Sequence, residues 1–231
     1  LIPYDYPAYP NLERTVVALG SLADELLFVG GATIGLYVTE LQVREPRATE
    51  DVDTVCEATT YIELSRFADR MRSIGFIEDM SSNVICRWTK GDLVVDLMPV
   101  DESALGFRNR WYRTALDDPW RITLANGQQI RIPKPAHALA CKLDAFADRG
   151  KGDFFGSKDF EDIVVLVDGR ESLANEVAAA HEAVREYVAQ AVVDWMRTPD
   201  FPSAVSAHLP PDAASQARVQ LVLERMRLLS Q

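Results

Sequence analysis

Short apolar runs bounded by turn residues fill the first part of the chain, with amphipathic stretches between them. Residues 26–29, 52–56, 84–89 and 93–98 read as strands, rich in Val, Ile, Leu and Phe. Helical spacing occupies 32–41 and 62–73, the second ending at Gly75. Asn11 is positioned to cap a helix reaching Glu25, after a proline- and tyrosine-rich arm at 1–10. Lys90-Gly91-Asp92 joins two of the runs as a hairpin turn, and Asn126-Gly127 joins 121–124 to 129–132. Beyond Pro133-Lys134-Pro135 the strand signal stops. Residues 136–149, 158–167 and 172–195 keep helical spacing, a linker with four prolines covers 198–212, and a last helix covers 213–229. Val219, Val222, Met226 and Leu229 form its docking stripe. The pattern predicts an α+β protein, with a mixed-sheet domain over 1–132 and a helical bundle over 133–231.

Composition narrows the class. The 231 residues are 48% hydrophobic and 26% charged, enough for a sizeable core in an ordinary globular chain. No apolar run approaches the roughly eighteen residues that span a bilayer, so no membrane partner is expected. The sequence opens on Leu1, as a trimmed chain would, with no charged-then-apolar leader to suggest secretion. Cys56, Cys86 and Cys141 are scattered, which argues against a disulfide framework or zinc site and for a reducing cytoplasm.

A net charge of −11 argues against a generic nucleic-acid binder. Between Ala104 and Lys134, however, six basic residues face two acidic ones, a local excess of +4. Any polyanion should meet the chain there, through Arg108, Arg110 and Arg113. The 107–113 stretch also interleaves Phe107, Trp111 and Tyr112 with these arginines. Its favoured reading is a loop whose rings are pinned to the core. His137, His181 and His208 have no ligand-like neighbours in sequence.

Chemistry concentrates in three places. Gly30-Gly31 follows an apolar run and precedes a helical pattern, where bare backbone can approach a phosphate or simply turn tightly. Asp51 and Asp53 are two apart, so a strand presents both carboxylates on one face. Asp96 lies within Leu93-Val94-Val95-Asp96-Leu97-Met98, where a buried charge needs a partner. Three carboxylates beside a phosphate cradle would take hard divalent cations, Mg²⁺ foremost and Mn²⁺ as the alternative.

In this order the residues resemble the polymerase-β-like nucleotidyltransferase superfamily, and more narrowly its AbiEii/MenT-like, toxin-associated group. Arg47-Ala48-Thr49-Glu50 before the Asp pair, the run from Lys142 to Arg149, and Lys158 to Asp162 extend the resemblance over about 25–168. Gly31 stands where a serine is common, and Thr33 is positioned to replace its hydroxyl. The interval from Gly31 to Asp51 is long for the group, so 39–50 is expected to hold an insertion.

The resemblance implies an NTP-using transferase with two Mg²⁺ ions on Asp51, Asp53 and Asp96. Gly30, Gly31, Thr33, Lys142, Arg149, Lys158 and Asp159 would serve the nucleotide, in a cleft completed by the helical domain. Asp162 is a weaker candidate beside them. The bland readings are a solvated stripe for Lys142 and Arg149, and ordinary first-turn acids after the Ser157 cap for Asp159 and Asp162. The acceptor would be the hydroxyl of an RNA such as tRNA, or of a protein, and a toxin-type member would have a cognate antitoxin. A small-molecule adenylyltransferase, a silent nucleotide-binding module and a metal-dependent sugar transferase stay open.

Overall fold

The computed structural model describes residues 4–40, 45–101 and 109–231. Two compact units divide the chain. One comprises Tyr4–Gly35 and Arg47–Lys134, and the other takes Leu36–Pro46 together with Pro135–Gln231. The segment 36–46 therefore belongs with the later residues.

The first unit is built on a seven-stranded mixed sheet: β1 (Leu26–Val29), β2 (Asp51–Cys56), β3 (Ile77–Glu78), β4 (Arg87–Lys90), β5 (Leu93–Pro99), β6 (Trp120–Thr123) and β7 (Gln129–Ile132). Their order is β3-β4-β5-β2-β1-β7-β6. β2 runs parallel to β5, and β1 parallel to β7, while the remaining neighbours are antiparallel. Alternation decides the faces. Val52, Thr54, Val95 and Leu97 are buried, while Asp51, Asp53, Val94 and Met98 are half-exposed on the other side.

Helix α1 (Tyr9–Leu19) begins earlier than expected because Pro10 sits in its first turn, where its missing N–H costs nothing. Gly20, at φ 56°, ends it, and the expected continuation to Glu25 is a 3₁₀ helix, Gly20–Glu25. The helical pattern at 32–41 is likewise 3₁₀, Gly31–Tyr37. Helix α2 (Tyr61–Ser73) carries a full capping box between Thr60 and Glu63, and Gly75 follows it at φ 88°. The strand expected over 84–89 starts three residues later and runs Arg87–Lys90. A helix at Tyr112–Asp117 was not expected at all. Trp111 is buried, and Tyr112 packs with Met98 and Val100 on Leu27, Val29, Val55, Ala115 and Leu116. Trp111 and Tyr112 thus serve the core, and Phe107 lies outside the described residues. Arg108 lies outside the described residues.

The second unit is helical. Pro135–Ala145, continued by a π turn at Phe146–Gly150, is buried at every position from Pro135 to Asp144. Lys158–Gly169 is capped by the Ser157 hydroxyl. The pattern at 172–195 splits into Leu173–Ala178 and Glu182–Met196, because His181 caps the second helix with its ring nitrogen. The proline-bearing linker contains a helix of its own, Phe201–Ala207. The last helix breaks into Ala213–Ala217 and Val219–Leu229 at Arg218, whose side chain binds Asp168. Phe146, Phe154, Phe160, Trp195 and Phe201 stack edge to face, and three of them help line a cavity of about 460 Å³. Segment 36–46 is tied in by its backbone: Arg170 donates to the Tyr37 carbonyl, and Thr39 N–H donates to that of Gly169.

Candidate active site

One rung of the sheet carries the chemistry. Val29 on β1 pairs with Asp53 on β2, Asp53 with Asp96 on β5, and Asp96 with Arg87 on β4. Residues paired across neighbouring strands project to one face, and Asp51, two residues before Asp53, joins them. The three aspartates singled out in the sequence therefore share a face.

Arg87 holds two of them. Its Nε donates to Asp96 Oδ1 at 2.8 Å, and Nη2 donates to Asp96 Oδ2 and to Asp51 Oδ2, each at 2.8 Å. Asp96 is the inner member, with 6% of its side chain exposed, against 35% for Asp51 and 23% for Arg87. A planar fork on both Asp96 oxygens answers the need of a carboxylate flanked by Val95 and Leu97. Burial pushes the Asp51 carboxyl up, but the Thr49 hydroxyl, donating at 2.6 Å, and the Arg87 charge together hold it below the usual carboxylate range. The Arg87 guanidinium is raised further, by its bonds to Asp96 and by both acids. Burial, together with the charges of Asp96 and Asp53, lifts the neighbouring Cys86 thiol to about 12, so it is no nucleophile at neutral pH.

The glycine pair borders this face. Gly30 has φ 75°, and a Cβ there would overlap the Asp53 carboxylate. A Cβ on Gly31 would lie 2.5 Å from a guanidinium nitrogen of Arg47. Each glycine thus makes room for one charged side chain. Thr33 is buried, with its hydroxyl donating to the Gly30 carbonyl at 3.0 Å, so that proton braces the turn. The Asn11 side chain donates to the carbonyl of Glu50, at the entry to β2.

In the helical unit, Lys142 is buried rather than solvated. Its Nζ lies 3.2 Å from Asp159 and 2.6 Å from Asp162, both almost fully buried. Arg149, 69% exposed, forks onto Asp159 at 2.6 and 2.8 Å. Burial raises the Asp159 carboxyl, but Arg149 and Lys142 outweigh it and hold it low. Lys158 is exposed in the first turn of its helix. Arg113 pairs with Glu57 at 3.1 Å in the sheet unit.

Among the described residues no group of three or more His, Cys, Asp or Glu side chains is drawn together so as to hold a metal ion. On the acidic face the reason is visible: Asp51 and Asp96 are turned onto Arg87. The donors themselves suit a hard divalent cation, being carboxylate oxygens, one held ionised, around a point already filled by positive charge.

Arg87 and Arg47 are the residues that the sequence reading did not assign to the site. The first was recoverable. A two-residue turn at Gly91-Asp92 sets Lys90 opposite Leu93, and counting back places Arg87 opposite Asp96. A scan against protein-family models finds no match for this chain, and a search of curated proteins finds none either. Among the described residues no helix is long and apolar enough to cross a membrane.

Proposed function

We propose that this chain is a metal-dependent nucleotidyltransferase that moves a nucleoside monophosphate from an NTP to an acceptor hydroxyl. The observation that carries the reading is the shared face of Asp51, Asp53 and Asp96 beside the Gly30-Gly31 turn. Asp51, Asp53 and Asp96 would hold Mg²⁺, which when bound neutralises charge on the transferring and leaving groups. The turn offers backbone without side chains, and Arg47 adds a planar fork beside Gly31, so a triphosphate finds both amides and a cation there. Once Arg87 has left it, Asp96 would take the acceptor's proton as the acceptor oxygen bonds to the α-phosphorus and pyrophosphate leaves. Lys142 and Asp159 neutralise each other in the helical unit, which favours a structural role for that pair. An RNA or protein acceptor, and a toxin role with a cognate antitoxin, follow from the family resemblance.

Arg87 on both oxygens of Asp96 favours one rival, a catalytically silent nucleotide-binding module. Incubation with each α-labelled NTP and Mg²⁺, plus total tRNA, total protein or neither, separates the two. Label should appear on a macromolecule and vanish with excess EDTA. Nucleotide binding with no transfer to any acceptor would establish the silent module, and label confined to an added small molecule would establish a small-molecule transferase.

A further inference from the structure

Arg87 sits where the proposed reaction needs other cations. Its fork takes both oxygens of Asp96 and one of Asp51, with the two carboxylates satisfied by one guanidinium. Removing it without replacement would leave Asp96, almost wholly buried, beside two further like charges. The residue is therefore the counter-charge of the acidic face before any ligand arrives.

We propose that Arg87 is an exchangeable counter-ion: a divalent cation enters by displacing it from Asp51 and Asp96, and the released guanidinium then takes the phosphates of the incoming nucleotide. This rests on the nucleotidyltransferase reading and assigns that site a further substrate-binding residue. The second half follows from the first. A half-buried guanidinium that has lost two carboxylates needs another anion, and phosphate has the geometry its fork already matches. Its side chain is 23% exposed, so solvent already reaches it. Ordered exchange also has a use. Metal alone must compete with Arg87, whereas metal arriving with a triphosphate leaves both the carboxylates and the guanidinium paired.

The test is Mn²⁺ titration of the full chain by electron paramagnetic resonance, alone and with each α,β-methylene NTP analogue in turn. Wild type is compared with Arg87→Met, which keeps the apolar stem, and Arg87→Lys, which keeps the charge and loses the fork. Without nucleotide, Arg87→Met should bind Mn²⁺ on the order of tenfold more tightly, since one charge-assisted bidentate pair no longer opposes entry. With Mn²⁺ saturating, it should bind the analogue on the order of tenfold more weakly. Arg87→Lys should fall between the two in both assays, and carries the test if circular dichroism shows Arg87→Met unfolded. Equal Mn²⁺ affinity in wild type and variants overturns the exchange while leaving the nucleotidyltransferase reading intact. No Mn²⁺ binding by any of the three proteins overturns both.

Discussion

The Asp53 carboxylate occupies the space that a side chain at residue 30 would need. Gly30 sits at φ 75°, and any Cβ there would overlap that carboxylate. The turn and the acid pair, distant in sequence, thus form one surface. Gly30→Ala should cost about 1–3 kcal/mol from backbone strain and overlap, and should displace Asp53. Gly127→Ala is the control: φ is 86°, but nothing lies within 4 Å of its Cβ, so only the strain remains. Urea denaturation of both variants should rank Gly30→Ala as the more destabilised, and only it should lose nucleotide transfer.

Asp53→Asn removes a charge and almost no volume. Transfer should be abolished with the fold intact, and the metal-free protein should be equally or slightly more stable, because Asp96 lies opposite on the same rung. Full transfer by this variant, or transfer undiminished in excess EDTA, would contradict the proposed metal chemistry.

Lys142→Met leaves Asp159 and Asp162 buried without their shared cation. A loss of about 3–5 kcal/mol is expected from one side of a buried ion pair. Denaturant midpoints measure it. A stability equal to wild type, with weakened nucleotide binding, would return Lys142 to the phosphate-contact role implied by the family resemblance.

The Asp159 carboxyl is held below its usual value, so it titrates at lower pH folded than unfolded, where it lies near 3.9. The stability it contributes is fully present above about pH 4 and is lost as pH falls through the lower folded value. Asp168 has the opposite sign: burial raises its carboxyl, with Arg218 opposing, so its contribution is greatest in acid and declines as pH rises through the folded value. Asp159→Asn should flatten the acid limb of a stability–pH curve, and Asp168→Asn should leave that limb in place.

If the acceptor is RNA, Arg110→Ala with Arg113→Ala should weaken its binding and reduce the salt dependence, since each lost phosphate contact removes released counterions. Affinities at two salt concentrations decide it. An unchanged RNA affinity at both would return Arg113 to its pairing with Glu57.

Periodicity carried the sequence reading as far as the faces of single strands. Asp51 and Asp53 could be placed together from their spacing, and Asp96 could be flagged from its apolar neighbours. Arg87 needed one more step, because strand alternation alone does not say which strands pair; the turn at Gly91-Asp92 does. Neither the nucleotide contact implied for Lys142 nor the bland reading of a solvated stripe foresaw its burial, because helical spacing cannot reveal that the next helix supplies Asp159 and Asp162. The 3₁₀ turns at 20–25 and 31–37 share local composition with α-helix, so propensity could not separate them. Least legible was the allegiance of 36–46, which depends on Gly169, Arg170, Arg218 and Arg225, far away in sequence.

That allegiance sets a timetable for synthesis. Glu40 meets Arg218, 178 positions further along, so the chain through Arg218 must leave the ribosome before this contact can form. The sheet unit is finished at Lys134, yet the stretch that leaves it at Leu36 and returns at Arg47 has to wait for the helices beyond Pro135. A nascent chain stalled anywhere in between would present an ordered sheet with one unanchored loop, a natural target for proteases and chaperones.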